Sequence, residues 1–350
     1  MAHIPERVKD LAIISSLKGG LLGQGKVRET YAVPGLDEVL IHVASDRVSI
    51  FDFVLPFTIP RKGEVLTALT HWWLTGPLAA FPNHLLPFSN EGVRFLAKHL
   101  KNIHHDIPLG RTLFVRRAET IKLEFVYRMM LGGSVYKAYT ENGVVAGVEL
   151  PKGFPKWSKL DEPLFTPTTK AQAGHDKPMT QTEAYKFLGT QAVEMVALGR
   201  RAYKVAYKQV ADRGWVLLDT KLELGFITVA GKKVLALIDE VFTPDSSRLT
   251  SSAEWKAGLA AGKDPVAHDK QYVREWGTKI KTPFKDSHGK QIVGLNHNEL
   301  STENPEHLAF VDSLEAPEEL IARTSEIYLD IMPSQVGVSL DDYQAEYLLL

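Results

Sequence analysis

Over residues 21–59 short β-rich apolar runs alternate with turn signals, at Gly23-Gln24-Gly25 and Pro34-Gly35 and around the apolar run 39–44. That is the pattern of a small twisted antiparallel sheet. The apolar period then changes: Leu66, Leu69, Trp73 and Leu74 recur at helical spacing until Gly76-Pro77, which predicts one helix over 64–78 packed on that sheet. A second strand pair is predicted over 111–117 and 122–128. The stretch 150–170 holds Pro151, Pro155, Pro163 and Pro167 and reads as a connection rather than a regular element. Thr180-Gln181-Thr182-Glu183 has the form of a capping box. From there Phe187, Val193, Val196, Ala197, Ala202, Val205, Ala206 and Val210 extend an apolar stripe that Gly214 ends. Past Gly214 the pattern becomes that of strands, over 215–219, 222–229 and 234–241, with Ala230-Gly231-Lys232 as a three-residue turn between the last two. The tail from Lys270 mixes helix and loop, with a helix predicted over 317–331. No internal repeat interrupts this order.

Composition narrows the functional classes. A length of 350 residues supports a sizeable core and two lobes. Its 41 Lys and Arg nearly balance 42 Asp and Glu, so no global field favours nucleic acid or an anionic membrane, and anion binding has to be local. With no cysteine there is no disulfide framework, thiolate nucleophile or cysteine-held zinc. The apolar stretch 11–17 is far shorter than a membrane span, and the mixed charges before it are unlike a signal peptide, so the cytoplasm is the expected compartment.

Candidate chemistry begins on the predicted hairpin. Side chains alternate along a strand, so Asp219, Lys221 and Glu223 share one face while Thr220 and Leu222 take the other. With a three-residue turn, Val229 faces Lys233, and Glu223 lies opposite Asp239. Two facing carboxylates call for a compensating charge; a divalent cation with hard oxygen ligands supplies it, and magnesium carrying nucleotide phosphates takes one or two protein carboxylates. A solvated face of alternating charges in a slightly different register fits the same residues. Gly23-Gln24-Gly25-Lys26-Val27-Arg28 is a glycine-rich turn entering a strand, with Lys26 and Arg28 on one side, suited to phosphates and also to an ordinary hairpin. It lacks the Gly-Lys-Ser/Thr ending of a P-loop. The run Asp239-Glu240-Val241-Phe242-Thr243-Pro244-Asp245-Ser246-Ser247-Arg248 offers hydroxyl and guanidinium donors for a phosphate monoester, or a serine-rich surface turn. Arg128 with Gly132-Gly133-Ser134 suggests an anion grip, and 169–176 a lid. His175 alone carries little weight, and His104-His105 has no metal-ligand spacing.

In order along the chain, these segments resemble the SAICAR synthase family from about Gly23 to Trp276. Gly25-Lys26-Val27-Arg28-Glu29-Thr30-Tyr31 is similar to the family's opening Gly-Lys-Val-Arg-Asp-(hydrophobic)-Tyr. Ala44-Ser45-Asp46-Arg47-Val48-Ser49-Ile50-Phe51-Asp52 and Ile59-Pro60-Arg61-Lys62-Gly63-Glu64-Val65-Leu66-Thr67 resemble the next two signatures. Later come Phe165-Thr166-Pro167-Thr168-Thr169-Lys170 with Gly174-His175-Asp176, then Asp219-Thr220-Lys221-Leu222-Glu223-Leu224-Gly225, and the run from Leu237 to Arg248.

The resemblance implies an α+β, two-lobed fold related to ATP-grasp and kinase-like architectures. A β-rich lobe over 1–123 and a mixed α/β lobe over 124–350 with a helical C-terminal extension would hold a nucleotide cleft between them. It implies ATP-dependent ligation of L-aspartate to a carboxyaminoimidazole ribonucleotide, with ATP and Mg2+ bound and no nucleic-acid or membrane partner. By the same resemblance Gly25, Lys26 and Arg28 lie near the phosphates, Glu124 to Val126 forms the adenine-binding connection, and Lys170 meets the nucleotide. Glu223 and Asp239 act on ATP and its metal, and Lys221 is catalytic. Arg128, Ser134, Asp219, Lys221, Ser247, Arg248 and Arg274 surround the ribonucleotide. Two stretches depart from the family pattern: Met129-Met130-Leu131-Gly132-Gly133-Ser134-Val135-Tyr136, and Leu249-Thr250 after Arg248. A small-molecule kinase and a nucleotide sensor without turnover are the rival readings; the retained Lys26, Lys221, Glu223, Asp239 and Arg248 argue against the sensor.

Overall fold

The computed structural model describes residues 3–9, 14–86, 107–170, 176–296 and 299–348. The expected features at 11–13, His104-His105 and Gly174-His175 lie outside the described residues. The predicted N-terminal sheet is present. Strands β1 (Leu21–Gln24), β2 (Arg28–Val33) and β3 (Leu36–Ala44) form an antiparallel meander, and β4 (Arg47–Ile50) pairs with β5 (Phe53–Thr58) as a separate hairpin. Helix α1 (Lys62–Thr75) follows, its N-terminus held by Asp46, which accepts from the Gly63 N–H at 2.8 Å. The next strands, β6 (Thr112–Arg116), β7 (Ala118–Thr120) and β8 (Leu123–Leu131), do not pair with one another. β6 completes the first sheet beside β3, whereas β7 and β8 join a larger one. The predicted pair 111–117 and 122–128 is therefore split between two sheets.

Helix α2 (Ser134–Asn142) leads to the two-residue strands β9 (Val144–Val145) and β10 (Val148–Glu149). The proline-rich stretch is more regular than its composition predicts. It contains β11 (Ser158–Phe165) and β12 (Thr168–Thr169), both paired with β8. Pro163 is tolerated because β11 ends the sheet and its register breaks between Lys159 and Leu164. The Thr180 capping box is formed and opens α3 (Gln181–Leu188). The stripe beyond it is two helices rather than one: Gly189 takes φ +67°, and α4 (Ala192–Ala211) starts after a short 3-10 turn. Phe187 and Val193, on either side of that break, are exposed at 56% and 69%.

The centre of the molecule is β13 (Trp215–Val229), one continuous strand where two were predicted, with β14 (Lys232–Ile238) and β15 (Ser247–Ser251) antiparallel to it. Ala230 and Gly231 both have positive φ, 49° and 75°, which makes the β13–β14 connection a two-residue turn whose twist suits adjacent strands. Helices α5 (Ser252–Ala261) and α6 (Gln271–Gly277), the hairpin β16 (Lys281–Lys285) and β17 (Gln291–Val293), and helices α7 (Pro305–Asp312), α8 (Glu318–Ile331) and α9 (Leu340–Tyr347) complete the chain. The main apolar core runs from α1 through β8, α4 and β13 to the C-terminal helices, with Trp73, Tyr127, Leu222, Tyr328 and Tyr343 buried in it. No described helix is long and apolar enough to cross a membrane.

Candidate functional site

Asp219, Lys221 and Glu223 all line one cavity of 1240 Å³, as alternation along β13 predicts, and Leu222 is fully buried; Thr220, expected on the other face, also lines the cavity. Its lining draws on Gly25, Lys26 and Arg28 as well as on Arg128, Lys170 and Arg248. Asp219 sits between two arginines. Arg248 Nε donates to its Oδ1 at 2.9 Å, and the Nη groups of Arg248 and Arg128 both reach Oδ2. Burial alone would raise the Asp219 pKa; the two guanidiniums overcome it and hold it down to about 2. Arg248 also lies over the Trp157 ring, 5.3 Å from its centroid, and Arg128 Nε donates to Thr166 Oγ1 at 2.9 Å.

The same aromatic bounds the glycines before α2. A Cβ on Gly132 would sit 2.2 Å from the Trp157 ring, and one on Gly133, at φ +62°, would meet Arg248 Nη1 at 3.2 Å. Both glycines let the strand pass close behind the arginine. Ser134 follows them at the start of α2, facing the cavity. Ser247 lines it too, with its hydroxyl 2.7 Å from Thr220 Oγ1. Arg274 reaches the same cavity from α6.

At the other end the two-residue turn changes the predicted pairing. Val229 faces Lys232, so Glu223 lies opposite Ile238, not Asp239. Asp239 has left the ladder with φ +61°. The two carboxylates still line the same cavity, and each is compensated by a side-chain cation: Glu223 pairs with Lys170, and Asp239 with Arg28. Burial pushes the Glu223 carboxyl up, but Lys170 and Lys221 bring it below its ordinary value. Lys221 Nζ donates to Glu124 at 2.6 Å, and Thr168 Oγ1 to the same carboxylate at 3.0 Å. Glu124 to Val126 is part of β8, within the strand predicted over 122–128; Val126 pairs with Lys221 and accepts from the Thr166 N–H at 2.9 Å. Lys26 pairs with Asp52 beside the glycine turn.

A second cavity of 270 Å³ adjoins the first, sharing Thr30, Lys170, Glu223 and Asp239 with it and extending to residues that include His42, His84, Arg116 and Ile238. His42 and His84 meet edge to face with centroids 5.6 Å apart. Burial, with Arg28 and Arg116 nearby, lowers the His84 pKa to about 3, so this imidazole is neutral.

Sequence reasoning missed one corner. Lys62, fully buried, donates to Asp245 at 2.8 Å, and Tyr328 OH donates to the same carboxylate at 2.5 Å. Next to it Asp269 and Lys270 line the cavity. Burial raises the Asp269 carboxyl to about 6 and lowers the Lys270 ammonium to about 8. The predicted helix began at 64, whereas α1 begins at Lys62, so a lysine opposing the helix dipole in the first turn went unread; Asp269 and Lys270 follow no pattern that marks them.

A cavity walled by arginines at one end and by lysine–carboxylate pairs at the other defines an enzyme of small, multiply charged substrates. Residues 21–291 match the family model described as SAICAR synthetase. Phosphoribosylaminoimidazole-succinocarboxamide synthase of Salinispora tropica is 40% identical over 261 residues, covering 74% of this chain and 86% of its own. The Thermodesulfovibrio yellowstonii protein of the same name is 37% identical, covering 78% and 89%. The solved SAICAR synthase of Saccharomyces cerevisiae, complexed with SAICAR, superposes with a TM-score of 0.73 at 27% identity, covering 92% of this chain and 97% of that one. The chain belongs to the SAICAR synthetase family.

Proposed function

We propose that this chain ligates L-aspartate to 5-amino-1-(5-phospho-D-ribosyl)imidazole-4-carboxylate, converting ATP to ADP and phosphate, as a cytoplasmic step of purine (IMP) synthesis. The observation that carries this is the face of β13. Asp219 lies among arginines suited to a phosphate monoester, Glu223 lies among lysines suited to a nucleotide, and Lys221 stands between them in one cavity. Family membership supports the same reading.

A carboxylate is a poor electrophile for an amine in water. In the proposed reaction a carboxylate oxygen of the ribonucleotide bonds to the terminal phosphorus of ATP as the bond to ADP breaks. The aspartate nitrogen then bonds to the acyl carbon, a proton leaves the nitrogen, and phosphate departs with the C–O electron pair. The protein's part is charge placement. Lys26, Arg28 and Lys170 neutralise nucleotide phosphates, with Gly25 allowing close approach. Lys221 steadies the transferring group, held by Glu124 from β8. Arg128, Ser134, Ser247, Arg248 and Arg274 hold the ribonucleotide, with Asp219 orienting the two nearest guanidiniums. Glu124 to Val126 forms the adenine-binding connection, and the smaller cavity beside His42 and His84 gives the nucleobase room. We place this cleft between a β-rich lobe over 1–123 and a mixed lobe over 124–350.

Magnesium fits the residues present. Glu223 and Asp239 bring hard oxygens to the nucleotide end, each resting on a cation for which phosphates can compete. Among the described residues no group of three or more His, Cys, Asp or Glu could hold a metal unaided, as suits an ion completed by phosphate oxygens and water. Glu223 and Asp239 would hold it, and its charge would neutralise the nucleotide phosphates.

The test is incubation with ATP, magnesium, the ribonucleotide and a panel of amino acids, following ADP and amide. ADP release is expected to rise strongly with L-aspartate and to equal the amide formed. Phosphorylation of a metabolite without an amide would favour a kinase instead.

A further inference from the structure

The segment Ser45–Arg47 gathers three successive carbonyls of the glycine turn. Arg47 Nη2 donates to Gly25 O at 3.2 Å and Arg47 Nε to Lys26 O at 3.0 Å, while the Ser45 N–H and hydroxyl each donate to Val27 O at 2.8 Å. In a planar trans peptide the C=O and the next N–H point in opposite directions. Fixing Gly25 O and Lys26 O toward Arg47 therefore turns the Lys26 and Val27 N–H groups the other way. Neither N–H makes a hydrogen bond among the described residues, and both residues line the large cavity. Successive backbone N–H groups turned to one side form an anion-binding concavity.

Arg47 is itself fixed. Its side chain is fully buried, it pairs with the equally buried Glu29, and Nη1 donates to Lys9 O at 3.2 Å and Val8 O at 3.4 Å. Gln24 Nε2 ties the same N-terminal segment to the turn, donating to Lys9 O at 2.8 Å and to Glu29 at 3.2 Å. All of these contacts are made to the chain, so Arg47 has no donor aimed at a ligand.

We infer that Arg47, held by Glu29, is a positioning residue that presets the Lys26 and Val27 N–H groups as a phosphate cradle. The inference rests on the proposed nucleotide site. A lysine has no fork with which to hold two carbonyls and a carboxylate together, so Arg47→Lys loses the preset turn. Because a single change strands Glu29 as a buried charge, the decisive variant is the double Glu29→Met with Arg47→Met. Replacing both members of a buried pair by apolar groups is often neutral for stability.

Calorimetric titration with ATP and with tripolyphosphate, with thermal unfolding as the control on folding, tests this. The double variant is expected to fold but to melt below the wild type, because Gly25 O, Lys26 O and Lys9 O lose their donor, to bind both ligands about tenfold more weakly, the scale of lost charge-assisted hydrogen bonds, and to keep KM for the ribonucleotide within about twofold. A folded double variant with unchanged affinity for both ligands would overturn the inference, as would equal losses for ATP and the ribonucleotide. If the double variant does not fold, Arg47→Lys decides by the same ratio; loss of folding in both would make the pair a stability element and overturn the positioning role. Wild-type protein that binds neither ATP nor tripolyphosphate would instead sink the nucleotide reading itself.

Discussion

Arg248 shows how much of the site one side chain holds. It makes a two-point contact with Asp219, lies over Trp157, and leaves the rest of its guanidinium to the cavity. Lysine cannot reproduce the fork or the flat face. Arg248→Lys is therefore expected to raise KM for the ribonucleotide about tenfold or more, with KM for ATP nearly unchanged; steady-state kinetics varying each substrate in turn checks it, and equal effects on both would move Arg248 out of the proposed subsite. At this scale the sequence was informative wherever charge alternates on a strand, since alternation alone brings Asp219, Lys221 and Glu223 to one surface. It did not join Lys62 to Asp245, though both stand in quoted segments, nor mark Asp269 and Lys270, because their association depends on α1, the loop after β14, α6 and α8 meeting in space.

The β13–β14 hairpin shows what an element adds. Its register turns on one residue of turn length, and composition at Ala230-Gly231-Lys232 did not separate a two-residue from a three-residue turn; the positive φ of Ala230 does. With two residues, Glu223 and Asp239 are not stacked acids but the carboxylate halves of separate ion pairs with Lys170 and Arg28. That reverses the stability expected of neutral variants. Glu223→Gln relieves no facing acid and leaves Lys170 beside Lys221 without its counterion, so a lower melting temperature is expected without nucleotide. Turnover is expected to fall at least about a hundredfold in Glu223→Gln and in Asp239→Asn, as when one preorganised contact at a reacting centre is removed. Thermal unfolding and initial rates at limiting magnesium measure the two effects; near-normal turnover in both would end the metal assignment. The β8–α2 junction is similarly specific. Gly132→Ala is expected to displace Trp157 and cost about 1–3 kcal/mol, read as a lower melting temperature together with a raised ribonucleotide KM. Its close approach to Trp157 crosses 25 positions of sequence, and no local pattern announces it.

Across the whole molecule the cavity is electrostatically uneven, and pH makes that measurable. Asp219 has its pKa depressed in the fold, so its pairs contribute stability at pH values above the ordinary 3.8, lost as pH falls through about 2. Asp269 behaves in the opposite way. Burial is the largest influence on it, Arg274 and Arg248 only partly offset that burial, Asp219 adds repulsion, and its Oδ2 has no hydrogen-bond partner among the described residues. Its folded pKa, about 6, is above the ordinary 3.8. Its protonated form is thus the one the fold accepts, and that contribution is complete below about pH 4 and lost as pH rises through 6. The gap corresponds to about 3 kcal/mol at neutral pH. Asp269→Asn keeps Oδ1 for the Gln271 N–H, which it accepts at 2.6 Å, and removes the titration. The variant is expected to gain stability over the wild type progressively between about pH 4 and pH 6 and to hold that gain at pH 7 to 8, while the two differ little below pH 4. Denaturant unfolding of both proteins at several pH values gives the difference directly. A difference that is flat with pH would mean that Asp269 is ionised in the native protein with an ordinary pKa, and that Arg274 and Arg248 compensate its burial in full.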